Sequence, residues 1–402
     1  MITERHGNAR LAVDGGTPVR DALLPYGRQT IDDDDVAAVV DVLRSDWLTT
    51  GPKVAEFEEA FAAQVGAAHA VAFSSGTAAL HGAVFAANVG SGDEVVTSPL
   101  TFCSTANTVL FQGGTPVFAD VAQDTLCLDP ELAEQVVTTR TRAILPVDYA
   151  GHPADLRAFR ELADRHGLVL IEDACHALGA TFDDRPVGSI AELTAFSFHP
   201  VKHIATGEGG MVTTDDSELA RRMRMFRSHG IDSDPRARQR TGQWHYEMTA
   251  LGYNYRLPDL VCALGLSQLT KLDANVARRR AIAAAYGRRL ADVPGLRLPD
   301  VRPEVEPAWH LYPVRVVGLD REKVFHALRA EGIGVNVHYV PVHLHPYYRE
   351  RFGYAGGEYP VAEAAYETLL SLPMFHGMTD SDVDDVVEAV AKVANHYAEE
   401  VS

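Results

Sequence analysis

The sequence predicts an α/β protein with a large, mostly parallel sheet covered by helices, followed by a smaller α+β domain. Short apolar runs alternate with helical stretches between residues 69 and 214. The run at residues 168–171 is leucine, valine, leucine and isoleucine, as expected of a strand buried on both faces. After about residue 258 long helical stretches dominate, which predicts a second, smaller domain.

Length and charge narrow the class of protein. The chain has 402 residues, 46% of them apolar, and 36 Lys and Arg against 55 Asp and Glu give a net charge of −19. We expect an arm at residues 1–30, a large domain at 31–270 and a small domain at 271–402. The acidic excess disfavours nucleic acid as the main partner, because it repels phosphate backbones. A small anionic substrate is still compatible with the negative net charge, because a helix N-terminus can bind an anion locally.

The elements of the large domain follow the apolar pattern. Four aspartates open a predicted helix at 31–44, since acidic residues favour the first turn, and a second helix is expected at 54–65. The predicted strands lie at 69–73, 94–98, 116–120, 143–147, 168–172, 195–198 and 210–213. The predicted helices between them lie at 77–88, 105–112, 130–137 and 153–166.

The small domain is predicted to contain long helices. The first spans about 258–290 and carries Arg278, Arg279 and Arg280, which we expect on a solvent-exposed face. Strands are expected at 309–317 and 334–339, and further helices at 321–331, 360–370 and 381–400.

The sequence favours a cytoplasmic protein. The first ten residues contain no apolar run behind a basic stretch, as a signal peptide would. No segment approaches the roughly 20 apolar residues that cross a bilayer, so no membrane partner is expected. The four cysteines form no Cys-x-x-Cys pair, and we expect them to be reduced.

A phosphate site is one interpretation of the residues after the strand at 69–73. Ser74, Ser75, Gly76 and Thr77 follow this strand and open a helix, where backbone N–H groups and hydroxyls can bind an anion. An ordinary helix cap is the alternative.

An acid is predicted at the end of a buried strand. Glu172 ends the strand at 168–172 and Asp173 follows it, at the sheet edge where open α/β folds bind ligands. A buried carboxylate needs a partner, which a protonated pyridine nitrogen, a structural arginine or neighbouring backbone could supply.

A lysine follows the next predicted strand. Lys202 stands between this strand and the Gly-rich residues 207–210, where an amine could attack an aldehyde, and Ser197 could reach a phosphate. A phosphate cradle, an acid for a ring nitrogen and an amine for an aldehyde are the groups that pyridoxal 5'-phosphate (PLP) requires.

The chain resembles the DegT/DnrJ/EryC1/StrS family of sugar aminotransferases from about residue 26 to the last helix. The most specific stretches are 173–179 and 197–210, and others lie at 147–151, 226–230, 310–313 and 337–339. The resemblance implies the type I, aspartate aminotransferase-like fold and a PLP-dependent transaminase. It also implies amination of C4 of a nucleotide-linked 4-keto-6-deoxy sugar, a UDP-linked N-acetyl hexulose being favoured, with L-glutamate as donor.

The resemblance further implies roles for individual residues. Lys202 matches the lysine that binds the cofactor aldehyde and moves the proton, and Asp173 matches the partner of the ring nitrogen. Cofactor contacts are implied for Gly76, Thr77, Phe102, His176, Ser197 and Asn254. Substrate contacts are implied for Tyr26, Trp47, Leu48, Thr49, His310, Tyr312, His338 and Tyr339. Asn254 matches a residue that reaches the neighbouring subunit's cofactor, which implies a homodimer with shared active sites.

Two features depart from the family member that aminates such a UDP-sugar. The arm with the sequence Asp-Gly-Gly-Thr-Pro at 14–18 resembles relatives from antibiotic-sugar and aminocyclitol pathways, and Trp47 stands where a smaller polar residue is common. Another keto-sugar or keto-cyclitol is therefore an alternative substrate.

The sequence disfavours two other functions and a metal site. A relative that dehydrates keto-sugars at C3 has histidine at the lysine position, so Lys202 favours transamination. A PLP-binding regulator without turnover usually carries a DNA-binding module or lacks catalytic groups, and neither feature occurs in this sequence. His343 and His345 lack the companion ligands of a zinc site, so no metal is predicted.

Overall fold

The computed structural model describes residues 10–233, 238 and 241–401, so residues 1–9 of the predicted arm lie outside it. A seven-stranded sheet forms the centre, in the order β1-β9-β8-β5-β4-β2-β3. Its strands are β1 (His69–Phe73), β2 (Glu94–Thr97), β3 (Thr115–Phe118), β4 (Thr141–Leu145), β5 (Val169–Asp173), β8 (Leu193–Ser197) and β9 (Gly210–Thr214). Neighbouring strands are parallel except at β9, which runs antiparallel to β1 and β8. The predicted mostly parallel α/β sheet is confirmed.

Helices cover both faces of this sheet. On β1, Val71 and Phe73 enter the core beneath one layer of helices, whereas Ala70 and Ala72 enter the core beneath the other. Because both faces are buried, the strands are apolar throughout rather than alternating. The helices are α1 (Asp33–Leu43), α2 (Pro52–Val65), α3 (Gly76–Ala86), α4 (Ser104–Phe111), α5 (Pro130–Gln135), α6 (Leu156–His166), α7 (Ser217–Phe226), α8 (Asp259–Leu269), α9 (Leu272–Arg289), α10 (Arg321–Ala330), α11 (Pro346–Phe352), α12 (Pro360–Thr368) and α13 (Asp380–Val401).

A second core lies in the C-terminal part of the chain. An antiparallel sheet of β10 (Leu296–Arg297), β12 (Tyr312–Val316) and β13 (Leu369–Leu372) packs there against α9, α10 and α13. Leu11 and Leu24 of the arm are buried in the same core. A third small sheet joins β6 (Thr181–Phe182), β7 (Arg185–Pro186) and β11 (Val305–Glu306).

One buried carboxylate fixes the arm to this second core. Glu331 accepts hydrogen bonds from the backbone N–H groups of Ala12 and Val19, at 2.9 and 3.0 Å. Lys392 of α13 donates to the same carboxylate at 2.8 Å, so the buried negative charge is paired.

Several predicted elements differ from those observed. The predicted helix at 258–290 is two helices that separate at residues 270–271, because α8 packs against α1 and α2 whereas α9 continues into the second core. Residues 334–339 form no strand and only a single bridge, from Asn336 to Ser371. The predicted helix at 360–370 ends at residue 368, where β13 begins. α7 was not predicted.

The prediction of a solvent-exposed face at residues 278–280 is wrong for one residue. Arg279 has no exposed surface, because its guanidinium binds backbone carbonyl groups from several segments. No helix in the described ranges is long and apolar enough to cross a membrane.

Candidate active site

Lys202 lies in the turn after β8, at the edge of the sheet where the parallel strands end. Its backbone N–H donates to the carbonyl of His199 at 2.9 Å, which closes the turn. Its Nζ lies 3.3 Å from Nε2 of His310, a residue of the segment before β12. Burial lowers the pKa of Lys202 to about 8, an effect that Cys175 and Asp173 oppose and Arg279 reinforces. A larger fraction of this amine is therefore neutral near pH 7 than in an exposed lysine.

Asp173 is the last residue of β5 and is only 4% exposed. One carboxylate oxygen accepts a hydrogen bond from the Thr105 hydroxyl at 2.8 Å, and the other accepts one from the Cys175 N–H at 3.2 Å. Both donors are neutral, and the negative charge of Asp173 also acts on the nearby Lys202 amine. The carboxylate is therefore held in place, and a protonated ring nitrogen would be a further favourable partner for it.

A small polar cradle lies where β1, β5 and β8 end. Ser75 caps α3 by accepting from the Ala78 N–H at 3.1 Å. A Cβ atom on Gly76 would lie 2.8 Å from Cβ and 3.0 Å from Oγ of Ser197, and 3.4 Å from Sγ of Cys175. The space exists only because residue 76 is glycine. Thr77 follows in the first turn and is half-buried, so its N–H and hydroxyl belong to the same helix N-terminus.

Neutral histidines lie around the Lys202 amine. His176 Nε2 lies 3.0 Å from the Tyr339 hydroxyl, and the His176 and His310 rings lie 4.4 Å apart. Burial, reinforced by the charge of Lys202, holds the pKa of both histidines well below its usual value. The Nδ1 atoms of both rings are buried without a hydrogen-bond partner, so each can still bind a polar group.

Aromatic side chains border the same region. Phe102 is 54% exposed, and its ring lies 5.9 Å from that of Tyr339. The Tyr26 ring lies 5.1 Å from the buried His338, which is held by the Ser371 hydroxyl at 2.9 Å. The exposed Phe102 face is available for stacking on a planar ring.

Other predicted site residues lie apart from this cluster. Trp47, Leu48 and Thr49 lie in the connection between α1 and α2, where Leu48 and Thr49 are exposed and Trp47 is half-buried. Asn254 is exposed and forms a backbone bridge with Ser228. Tyr312 packs inside the second core, with its ring 5.1 Å from that of Tyr286.

Sequence reasoning missed two residues that contact Asp173. Thr105 is 68 positions away in the chain, and no local pattern links the two. Cys175 was predicted only to be a reduced thiol, but its side chain faces the cradle and its N–H donates to Asp173. The spacing of Cys175 two residues after Asp173 was the available signal, because a carboxylate often binds an N–H two residues further on.

His343 lies in a separate polar cluster. Potential ligand atoms of His343, Glu358 and Glu363 all lie within 4.8 Å of one another, and His345 is not part of the group. The Glu363 carboxylate already accepts hydrogen bonds from the N–H groups of Gly357 and Tyr359. The prediction that no metal is bound stays a prediction.

A cavity of about 620 Å³ lies away from Lys202. It is bordered by the start of α2, the end of α7 and the segment around Asn254, and Arg227, Ser228 and Arg256 are among its lining residues. Neither Lys202 nor Asp173 lines this cavity. We therefore place the reaction at Lys202, where the amine, the Asp173 carboxylate and the cradle at Gly76 lie at one edge of the sheet.

Solved structures share this fold. Spr1654 of Streptococcus pneumoniae in its PLP-form, a putative sugar aminotransferase, is 31% identical, with a TM-score of 0.87 over 94% of this chain and 100% of that chain. PseC of Helicobacter pylori, an aminotransferase involved in the biosynthesis of pseudoaminic acid, is 33% identical, with a TM-score of 0.86 over 93% of this chain and 100% of that chain. Fold and site define a PLP-dependent aminotransferase, and the predicted fold and cofactor are confirmed.

The family follows from the sequence comparisons. The model of the DegT/DnrJ/EryC1/StrS aminotransferase family matches residues 29–391. Spore coat polysaccharide biosynthesis protein SpsC of Bacillus subtilis (strain 168) is 47% identical over 380 residues, 93% of this chain and 98% of the relative. The chain belongs to this family of sugar aminotransferases.

Proposed function

We propose that the protein transfers the amino group of L-glutamate to C4 of a nucleotide-linked 4-keto-6-deoxy sugar, with a UDP-linked N-acetyl hexulose favoured. The observation that carries the catalytic part is the Lys202 amine beside neutral His310, near an Asp173 carboxylate that the Thr105 hydroxyl and the Cys175 N–H hold in place. The choice of sugar rests on stretches such as 147–151 and 226–230, which resemble UDP-4-amino-4,6-dideoxy-N-acetyl-β-L-altrosamine transaminase of the pseudaminic acid pathway. The likeness to PseC supports this choice.

The residues present fit PLP. When bound, PLP supplies an electron sink for the carbon that loses its proton. Asp173 would hold the protonated ring nitrogen, and Gly76, Thr77 and Ser197 would hold the phosphate. Phe102 would offer its exposed ring for stacking. His176, with its free Nδ1 and its contact to Tyr339, adds a further polar contact.

Lys202 acts as the general base and then the general acid. A lowered pKa suits both roles, because the amine can accept a proton near neutral pH and return it. His310 Nε2 lies 3.3 Å from the amine and fixes its direction. Tyr26, His338 and Tyr339 border the approach to the amine and would contact the sugar.

Two measurements test the proposal. The enzyme is incubated with L-glutamate and a panel of UDP- and dTDP-keto-sugars, and products are identified by mass spectrometry and NMR. Amination at C4 of a UDP-linked N-acetyl sugar is the expected result, and turnover of a keto-cyclitol or a dTDP-sugar alone contradicts the proposed substrate. Lys202→Ala should abolish turnover and the absorbance band of the lysine-bound cofactor while the fold is retained. Near wild-type activity in this variant contradicts the role of Lys202.

The proposed assembly is a homodimer with shared active sites. The segment before Asn254 exposes apolar side chains, with Trp244 at 85% and Leu251 at 75%. Such exposure in one short segment is typical of a surface that a partner covers. A second copy of the chain, carrying Asn254 towards the cofactor phosphate of its neighbour, is the proposed partner.

A further inference from the structure

Arg279 is a fully buried cation in α9, between two ordinary arginines. Arg278 and Arg280 are half-buried and form ion pairs with Asp380 and Glu306, at 2.8 and 3.1 Å. Arg279 has no exposed surface, and no carboxylate contacts it in the described part of the chain. Burying a charge without a counter-ion costs free energy. The contacts of the Arg279 guanidinium therefore need a functional explanation.

The Arg279 guanidinium joins three segments through their carbonyl groups. Nη1 donates to the carbonyl oxygens of Trp309, His310 and Met374, at 3.2, 3.3 and 2.9 Å. Nη2 donates to the carbonyl oxygen of Val201 at 3.2 Å. The planar fork of an arginine can bind several acceptors in fixed directions, which an ammonium group cannot do as rigidly.

Two of these carbonyls belong to the backbone on either side of the reactive contact. Val201 directly precedes Lys202, and His310 is the residue whose Nε2 lies 3.3 Å from Lys202 Nζ. The segments come from different parts of the chain, 109 positions apart by number, and meet at Arg279. Displacing either backbone would separate the amine from the imidazole.

We propose that Arg279 is a positioning residue for the Lys202 amine: it holds Val201 and His310 in register and places an uncompensated positive charge near that amine. The inference rests on the proposed role of Lys202. Arg279 then has two separable effects. Its hydrogen bonds fix the positions of Val201 and His310, and its charge disfavours protonation of the Lys202 amine.

The sign of the charge effect follows from the groups around Lys202. A nearby positive charge disfavours a second one, so Arg279 favours the neutral amine, and removing it should raise the pKa of Lys202. Asp173 and Cys175 act in the opposite direction. The other titratable groups that interact with the amine are the neutral histidines His176, His203, His310 and His338.

The charge effect can be measured without cofactor. The chain has only five lysines, so competitive acetylation of the cofactor-free protein across pH, read by peptide mass spectrometry, reports the Lys202 titration, with exposed Lys323 as internal reference. Arg279→Met should raise the Lys202 midpoint above about 8. Arg280→Met is the matched control and should leave it unchanged. If Arg279→Met does not fold, Arg279→Gln supplies the neutral variant.

Arg279→Lys separates geometry from charge. It keeps the positive charge, so the Lys202 midpoint should stay within a few tenths of a pH unit, whereas turnover should fall at least tenfold because the fork is lost. An unchanged midpoint in the folded neutral variant, or equal shifts in Arg279→Met and Arg280→Met, overturns the inference. Borohydride reduction of the PLP-loaded enzyme is the separate check on Lys202: tagging of another lysine overturns the proposed function instead.

Discussion

Asp173 depends on a threonine hydroxyl from a different element. Thr105, at the start of α4, donates to Asp173 at 2.8 Å, and its hydroxyl also lies 2.8 Å from that of Thr101. Since a hydrogen bond to a buried charged group contributes about 1.5–3 kcal/mol, the loss of this donor should be measurable.

We predict that Thr105→Val lowers kcat/KM about tenfold, because valine keeps the shape but leaves the Asp173 carboxylate less well held. Steady-state kinetics with saturating PLP measures this. Thr108→Val is the matched control, since the Thr108 hydroxyl is also buried in α4 but binds the carbonyl of Thr105 instead. Equal losses of activity in the two variants would show that the contact to Asp173 is unimportant.

Behind the active site, two buried carboxyl groups face each other. Asp148 accepts from the Ala154 N–H at 2.9 Å and Glu172 accepts from the Thr194 hydroxyl at 2.8 Å. The second oxygen of each group is buried without a donor, so one proton shared between them would satisfy both. Burial, together with the neighbouring charge, raises the pKa of Asp148, and burial raises the pKa of Glu172 from 4.5 to about 7.

This pair predicts a pH dependence of stability. Between about pH 4.5 and 7 the folded protein keeps a proton that the unfolded chain releases, so the free energy of unfolding should fall as pH rises. Glu172→Gln can donate to Asp148 without titrating, and should reduce that fall by about 1–3 kcal/mol. Urea unfolding at several pH values measures the effect, with exposed Glu161→Gln as control. The same slope in wild type and Glu172→Gln would contradict a shared proton.

At the scale of elements, the N-terminus of α3 is shaped by one glycine. Gly76→Ala should leave the fold intact, because alanine favours a helix, but its Cβ would lie within 3.0 Å of the Ser197 side chain. We expect PLP affinity to fall at least tenfold while the melting temperature changes by only a few degrees.

Gly287→Ala in α9 is the opposite case and the control. Its Cβ would meet only the Tyr312 hydroxyl, at 3.9 Å, so the substitution should stabilise the protein by about 0.5–1 kcal/mol with unchanged PLP binding. Fluorescence titration with PLP and thermal unfolding distinguish the two variants. If Gly76→Ala binds PLP as tightly as the wild type, the proposed phosphate cradle at Gly76 is wrong.

Some secondary-structure elements could be predicted from the sequence and others could not. Buried strands were found because both their faces are apolar, and α1 was found because acidic residues open it. The structure shows that two of these residues, Asp32 and Asp35, form a capping box. α7 was missed because its buried residues, Ala220, Met223 and Phe226, are interspersed with arginines. Residues 334–339 have the composition of a strand, but their backbone binds the arm and β13 irregularly.

Side-chain neighbours from distant segments were the least predictable part of the site. Lys202, Asp173, Gly76 and Ser197 could be proposed because each lies at or just after the end of a predicted strand, and parallel strands end at one edge of a sheet. The burial of Arg279 could not be predicted, because its carbonyl partners come from three segments far from α9 in sequence. Helical periodicity alone does not distinguish Arg279 from its neighbours Arg278 and Arg280.

At the scale of the whole molecule, Asn254 is the predicted cofactor residue that lies apart. It is exposed, and its backbone pairs with Ser228 rather than with the Lys202 cluster. In a symmetric dimer the same surface is used by both copies, so a residue that leaves its own site can complete its partner's. The location of Asn254 therefore leads to a prediction that can be tested only with two subunits.

We predict that Lys202→Ala and Asn254→Ala complement each other. Co-expressed with different tags and purified as a mixed dimer, the pair should regain about half of wild-type activity, because one of the two sites combines an intact Lys202 with the partner's intact Asn254. The control is a mixed dimer of wild type and the Lys202→Ala/Asn254→Ala double variant, in which neither site is complete and activity should stay low. If Asn254 serves its own chain, the two results are reversed: the control is half-active and the complementing pair is not. Light scattering of each preparation establishes that a dimer was assayed.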